Sequence, residues 1–196
     1  MRERGFLISH LSGAPAFYRR FGYVEACGRS LGWMRVVNLA SYSGRVAVRD
    51  AGPPDAAALC GLFEEENAGR TGCIRRDAVQ WAWQLETGHP RGYAACNDGL
   101  IGFRPEREAC LVAECGGKTV GYLRLFVRSG RVALHEWAVA DDEAASAMFA
   151  YVGEIATRVQ SEGIELSIPS DGSLGRWTVE QGATFEEGPD PEPHRP

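Results

Sequence analysis

A chain of 196 residues with 44% apolar and 24% charged side chains is long enough to bury roughly 70% of the surface its unfolded form exposes. Its formal charge of −5, with a pI near 5.5, leaves no basic surplus to neutralise nucleic-acid phosphate or to hold an anionic membrane. No run reaches the roughly 18 apolar residues that span a bilayer, and Met1-Arg-Glu-Arg opens onto no signal-peptide core, so a cytoplasmic location is expected.

Taken in chain order, Phe6 to Ser9 reads as a short strand and Ala14 to Phe21 as a short helix stopped by Gly22. Two strands around a turn at Gly28 to Gly32 are expected between Tyr23 and Val37, followed by the connector "NLASYSG" over 38–44. Then comes a second beginning. Val46 to Arg49 alternates as a strand, and Pro53-Pro54-Asp55 opens a helix that runs to about Asn67. Asp77 to Glu86 places Val79, Trp81, Ala82 and Leu85 near helical spacing. Residues 87–107 are loop, punctuated by Gly and Pro. Three strands follow, Cys110–Glu114, Thr119–Arg128 and Arg131–Val139, with turns at Gly116-Gly117 and Ser129-Gly130. A long helix starts at Asp141 or Asp142, carries Met148, Val152, Ile155 and Val159 on one stripe, and ends at Gly163. Strand Ile164–Ile168, helix Ser173–Gln181 with a stop at Gly182, and strand Thr184–Glu187 complete an α/β (α+β) order with a mixed sheet. The tail, 189–196, is expected to be disordered.

Six cysteines (27, 60, 73, 96, 110, 115) form no CxxC pair, and four histidines (10, 89, 135, 194) have no ligand spacing. Free, mostly buried thiols and no metal are expected. One internal match stands out. Ile8 and Ile168, Phe17 and Trp177, and Gly22 and Gly182 are separated by one common offset, with a strand on either side in both copies. The start of the chain therefore resembles its own end.

The order strand, two helices, three antiparallel strands, long helix, strand, helix, strand over 45–187 resembles the GCN5-related N-acetyltransferase fold. "AFYRRFGY" (16–23) matches the closing segment of that fold, and "RTGCIRRDAVQWAWQL" (70–85) gives the layout the look of tandem-domain acetyltransferases of the enhanced-intracellular-survival type. The resemblance implies a truncated first unit over 1–44 and a complete unit over 45–188. It further implies acetyl-CoA as donor, an amine on a small molecule or peptide as acceptor, and Tyr18 as general acid to the departing thiolate. Thr178, at the matching place in the second unit, cannot replace a phenol in that role.

In that family a loop of pattern R/Q-x-x-G-x-G/A holds the cofactor diphosphate on backbone N–H groups at a helix N-terminus. The corresponding segment here is "VADDEAASAMFAYV", without Gly, Arg or Gln, and Asp141, Asp142 and Glu143 put carboxylates where phosphates belong. They equally suit a helix cap. The strand residues Trp137, Ala138 and Val139 correspond to the stretch whose backbone pairs with the pantetheine arm, a geometry that needs no particular side chain. His135 and Glu136 are candidate general bases; since adjacent strand residues face opposite sides, only one is expected to reach a cleft, and a structural His and a solvated or paired Glu are the alternatives. Arg70, Arg75 and Arg76 either meet an acidic substrate or mark a helix start. Trp81 and Trp83 read as core and surface-cover aromatics.

Two functional classes follow. One is an acetyl-CoA-dependent N-acetyltransferase. The other is a catalytically degenerate module that binds a partner or forms an oligomer, for which a homodimer through residues 1–44 would cover exposed strand edges.

Overall fold

A computed structural model describes residues 15–24, 29–39, 42–70, 73, 75–87, 107–128 and 130–188. The expected strand at 6–9, most of the loop at 87–107 and the tail at 189–196 lie outside the described residues.

A short helix α1 (Pro15–Tyr18) tightens into a 3-10 turn (Arg19–Phe21) and stops at Gly22, whose φ of 84° lets its N–H reach Arg19 O at 3.0 Å. Two strands around a turn at Gly28 to Gly32 were expected; among the described residues Arg29–Arg35 is instead one continuous strand, β1, with Gly32 in its middle, and residues 25–28 lie outside them. The reason is steric. A Cβ at Gly32 would lie 2.6 Å from Phe185 Cε1 and 2.9 Å from Leu166 Cβ, so the glycine permits close packing inside a strand.

β2 (Ala47–Asp50), a 3-10 turn (Pro53–Asp55), α2 (Ala56–Asn67) and α3 (Ala78–Thr87) come next. Asp77 caps α3 reciprocally with Gln80: the Gln80 N–H donates to Asp77 Oδ1 at 2.8 Å, and the Asp77 N–H to Gln80 Oε1 at 3.3 Å. β3 (Arg107–Cys115), β4 (Lys118–Arg128) and β5 (Arg131–Val139) form a meander. α4 (Asp142–Arg158), β6 (Gly163–Leu166), α5 (Ser173–Glu180) and β7 (Thr184–Gly188) close the chain. α4 ends at Arg158 rather than at Gly163: the chain leaves the helix at Gln160, whose φ is 58°, and Gly163 is already paired with Arg35 across β1 and β6.

The seven strands make one sheet in the order β2-β3-β4-β5-β6-β1-β7, antiparallel throughout except between β5 and β6. β1, drawn from the segment before residue 44, is thus an interior strand between β6 and β7. It pairs Gly32 with Leu166 on one side and with Phe185 on the other. Its partner β7 follows α5 and Gly182 (φ 88°), just as β1 follows α1 and Gly22.

Each face of the sheet has its own core. α4 lays Met148, Phe149, Val152 and Ile155 against Leu111, Leu123, Leu125, Leu134, Ile164 and Leu166. On the opposite face Leu59 and Phe63 of α2 and Trp81 of α3 cover Val112, Tyr122 and Ala138. Burying each large side chain in these layers contributes about 1.5–3 kcal/mol relative to exposure.

Candidate functional site

Two irregularities in β5 create the site. The first is a divergence: β5 and β6 pair only through Val132–Leu134 and Ile164–Leu166, with one further bond from Ser167 N–H to Leu134 O at 2.9 Å. β5 nevertheless runs on to Val139, held on its other side by β4. Among the described residues no strand pairs with 135–139 on the β6 side, so this stretch presents a free backbone edge. Trp137, Ala138 and Val139 lie along it.

The second irregularity is a bulge. Arg124 pairs with Glu136 and Leu125 with Leu134, leaving His135 as an extra residue. Strict alternation would send His135 and Glu136 to opposite faces, as the sequence led us to expect. The bulge instead turns both toward the α2–α3 side.

There they join a buried polar cluster. Arg76 donates to both oxygens of Glu136, Nη1 to Oε1 at 3.1 Å and Nη2 to Oε2 at 2.8 Å, and the Tyr122 hydroxyl donates to Oε1 at 3.2 Å. Arg124 donates through Nη2 to Glu108 Oε1 at 3.1 Å and through Nη1 to Gln84 at 3.4 Å; Nη1 also lies 3.7 Å from Glu136 Oε2. His135 stacks on Phe126, centroids 4.3 Å apart, and brings Nε2 to 3.9 Å from Glu108 Oε1. The Arg76 guanidinium sits over the rings of Phe63 and Trp81, at 4.1 and 4.4 Å.

Burial sets the protonation of this cluster. It pushes the Glu108 carboxyl up to about 6, against the pull of Arg124. It drives the His135 imidazole down to about 3, with Arg124 and Arg76 adding in the same direction, so the ring is neutral. It also raises the Tyr122 phenol well above its ordinary value. Among the described residues Glu108 Oε2, His135 Nδ1 and Trp81 Nε1 are buried without a hydrogen-bond partner.

The arginines near α3 take separate roles. Arg76 is buried in the ion pair rather than solvated at a helix start. Arg70 pairs with Glu66 at 3.1 Å and lies 5.7 Å from the Trp137 ring centroid, while Arg75 is exposed. Trp81 is core, 1% exposed, and Trp83 is 48% exposed. Sequence reasoning missed Glu108, Tyr122 and Arg124. For Tyr122 and Arg124 the signal was present, since both interrupt the apolar inner positions of the predicted strand Thr119–Arg128; Glu108 precedes the predicted strand Cys110–Glu114, which begins at Arg107 in the structure.

Tyr18 is set apart from this cluster. Its ring meets Phe17 at 5.0 Å and Tyr23 at 6.0 Å, and among the described residues no hydrogen bond or ring contact links it to His135 or Glu136. Thr178 is buried and donates to Gly175 O at 2.7 Å.

At the end of β5, Asp141 caps α4, its Oδ1 accepting the Ala144 N–H at 2.8 Å. Asp142 and Glu143 fill the first turn. The Tyr42 hydroxyl donates to Glu143 Oε1 at 2.7 Å while accepting the Val46 N–H at 3.1 Å, pinning residues 42–46 beside this end. A cavity of about 450 Å³ adjoins it, walled by Tyr42, Asp142, Glu143, Phe149 and Trp177, with no basic side chain in its lining. The free edge of β5 suits the amide-bearing arm of a pantetheine thioester. The α4 terminus does not suit a diphosphate. Among the described residues no group of three His, Cys, Asp or Glu is placed to hold a metal, and no helix is long and apolar enough to cross a membrane.

No protein-family model and no curated protein matches the chain. Solved structures do. The chain is similar to a GCN5-related N-acetyltransferase from Kribbella flavida, at TM-score 0.63 and 22% identity over 95% of this chain and 43% of that one. A GCN5-related N-acetyltransferase from Anabaena variabilis matches at 0.60 and 14%, over 89% and 43%. One from Sphaerobacter thermophilus matches at 0.53 and 15%, over 88% and 52%. The chain thus spans about half the length of these proteins or less. The fold is the GCN5-related N-acetyltransferase fold.

Proposed function

We propose that this chain is an N-acetyltransferase unit that moves an acetyl group from acetyl-CoA to an amine of a small molecule or peptide. The observation that carries this reading is the free edge of β5 over 135–139, set directly beside the bulge that turns His135 and Glu136 toward the polar cluster. The donor supplies an activated acyl group as a thioester. Backbone groups of Trp137, Ala138 and Val139 orient its arm, and a buried carboxylate beside the bulge meets the incoming nitrogen. Tyr18 has no contact with the cluster, and the proposal leaves protonation of the thiolate to water. We read residues 1–44 as the closing portion of a first, similar unit, because α1, Gly22 and β1 repeat the pattern of α5, Gly182 and β7.

A second reading rests on the capped α4 terminus, where Asp141, Asp142 and Glu143 oppose an anion: a non-catalytic module that binds a partner or a second copy through residues 1–44. Thermal unfolding with coenzyme A separates the two, since a ligand at 100 times its dissociation constant stabilises by about 2.7 kcal/mol. A rise in Tm together with thiol release from acetyl-CoA in the presence of primary amines supports the enzyme. No shift at millimolar coenzyme A overturns it in favour of the module.

A further inference from the structure

Two carboxylates border the bulge, and they are not equivalent. Of their four oxygens, both of Glu136 accept from Arg76, and Oε1 takes the Tyr122 hydroxyl as well. Glu108 Oε1 accepts from Arg124, whereas Glu108 Oε2 is buried and accepts no hydrogen bond among the described residues. An incoming amine is a hydrogen-bond donor, and Glu136 already accepts three hydrogen bonds, whereas Glu108 accepts one and leaves Oε2 open. Beside Glu108 lies a second buried atom with no partner among the described residues, the Nδ1 of His135, whose ring is neutral and whose other nitrogen lies 3.9 Å from Glu108 Oε1. His135 is the first residue of β5 beyond its last pair with β6, so it links the free edge to Glu108 through a single side-chain contact.

We propose that Glu108, through Oε2, is the general base of the acyl transfer, and that Glu136 is a structural strut held by Arg76. This rests on the acetyltransferase reading above. The acceptor nitrogen forms its bond to the thioester carbonyl carbon and gives one proton to Glu108 Oε2. The C–S bond breaks with its electron pair on sulfur, the thiolate takes a proton from water, and Glu108 returns its own to water. The sequence alone pointed at Glu136 because it stands on the strand that leads into α4. Glu108 stands two strands away, and only sheet pairing brings it near.

The test compares Glu108→Gln, Glu108→Asp and Glu136→Gln with the parent chain, using acetyl-CoA with L-lysine ethyl ester, tyramine and an unblocked alanine peptide as acceptors. Coenzyme A affinity and Tm are measured on each variant. Glu108→Gln is expected to lower kcat by roughly 10²–10⁴-fold at unchanged coenzyme A affinity. The rate of the parent chain should rise with pH through about 6, as the base loses its proton. That limb should vanish in Glu108→Gln and persist in Glu136→Gln and in Glu108→Asp, which keeps a carboxylate on a shorter arm. Should Glu108→Gln not fold, Glu108→Asp carries the test by combining a lowered kcat with a retained limb; an unchanged kcat there overturns the proposal. Loss of the limb in Glu136→Gln with its retention in Glu108→Gln transfers the role to Glu136 and leaves the acetyltransferase reading standing. A parent chain that neither binds coenzyme A nor turns over any of the three amines removes both proposals together.

Discussion

Arg76 holds Glu136 through two parallel hydrogen bonds, 3.1 and 2.8 Å, while its guanidinium lies over Phe63 and Trp81. The pair joins the loop before α3 to the bulge of β5. Its side chains are only 9% and 18% exposed, so it is a buried bidentate pair rather than a surface one.

Removing one partner leaves the other charge buried. Arg76→Ala is expected to destabilise the chain by about 3 kcal/mol or more. Arg76→Lys should recover part of that loss, since it restores charge without the fork. Urea unfolding monitored by tryptophan fluorescence measures both, and an Arg76→Ala chain as stable as the parent would refute the strut.

His135 and Glu108 pull stability in opposite directions as pH changes. The His135 pKa is depressed on folding, from 6.5 to about 3, so its contribution is present above about 6.5 and is lost as pH falls toward 3. The Glu108 pKa is raised, from 4.5 to about 6, so its contribution is present below about 4.5 and is lost as pH rises through 6. Between those values the two slopes offset. Glu108→Gln should therefore lose stability more steeply between pH 6 and 4.5 than the parent, and His135→Gln less steeply below pH 6.5. Chemical denaturation across this range reads both slopes; parallel curves for all three chains would contradict the assignment.

Gly32 is a test of packing. A Cβ there meets Phe185 and Leu166, so Gly32→Val is expected to cost about 1–3 kcal/mol through overpacking. Phe185→Ala in the same chain should relieve part of that cost, a coupling that a double-mutant cycle reports. Additive effects would mean that the ring does not press on β1.

The acidic end of α4 is expected to weaken anion binding. Asp142→Asn with Glu143→Gln removes two charges from the first helical turn, each worth about 0.3–1 kcal/mol against an anion. Coenzyme A is expected to bind about 3- to 30-fold tighter at low salt, with the gain shrinking at high salt. Isothermal titration checks it. Equal affinity at low salt would show that these carboxylates do not face the diphosphate.

The positions of α2, α3, α4, α5 and most strands are legible in the sequence because each writes its own period. Asp77 before Ala78, the stripe Met148-Val152-Ile155, and the turn glycines at 116 and 117 are local signals, set by capping, burial of one face and φ of 57° and 76°. Gly32 misled the reading for the same reason: a glycine among apolar residues announces a turn unless the ring that replaces its side chain is known, and Phe185 is distant in sequence.

The site divides in the same way. Composition and spacing sufficed for a chain with two helices before a three-strand meander and a long helix after it, and for carboxylates rather than glycines opening that helix, since these follow from residues close together along the chain. Tertiary structure alone decided that β1 enters the sheet between β6 and β7, that a bulge puts His135 and Glu136 on one side, and that Glu136 accepts three hydrogen bonds while Glu108 Oε2 accepts none among the described residues. Those outcomes depend on register and on hydrogen-bond saturation between strands, where one residue of slip reverses a face, and no local pattern encodes that slip.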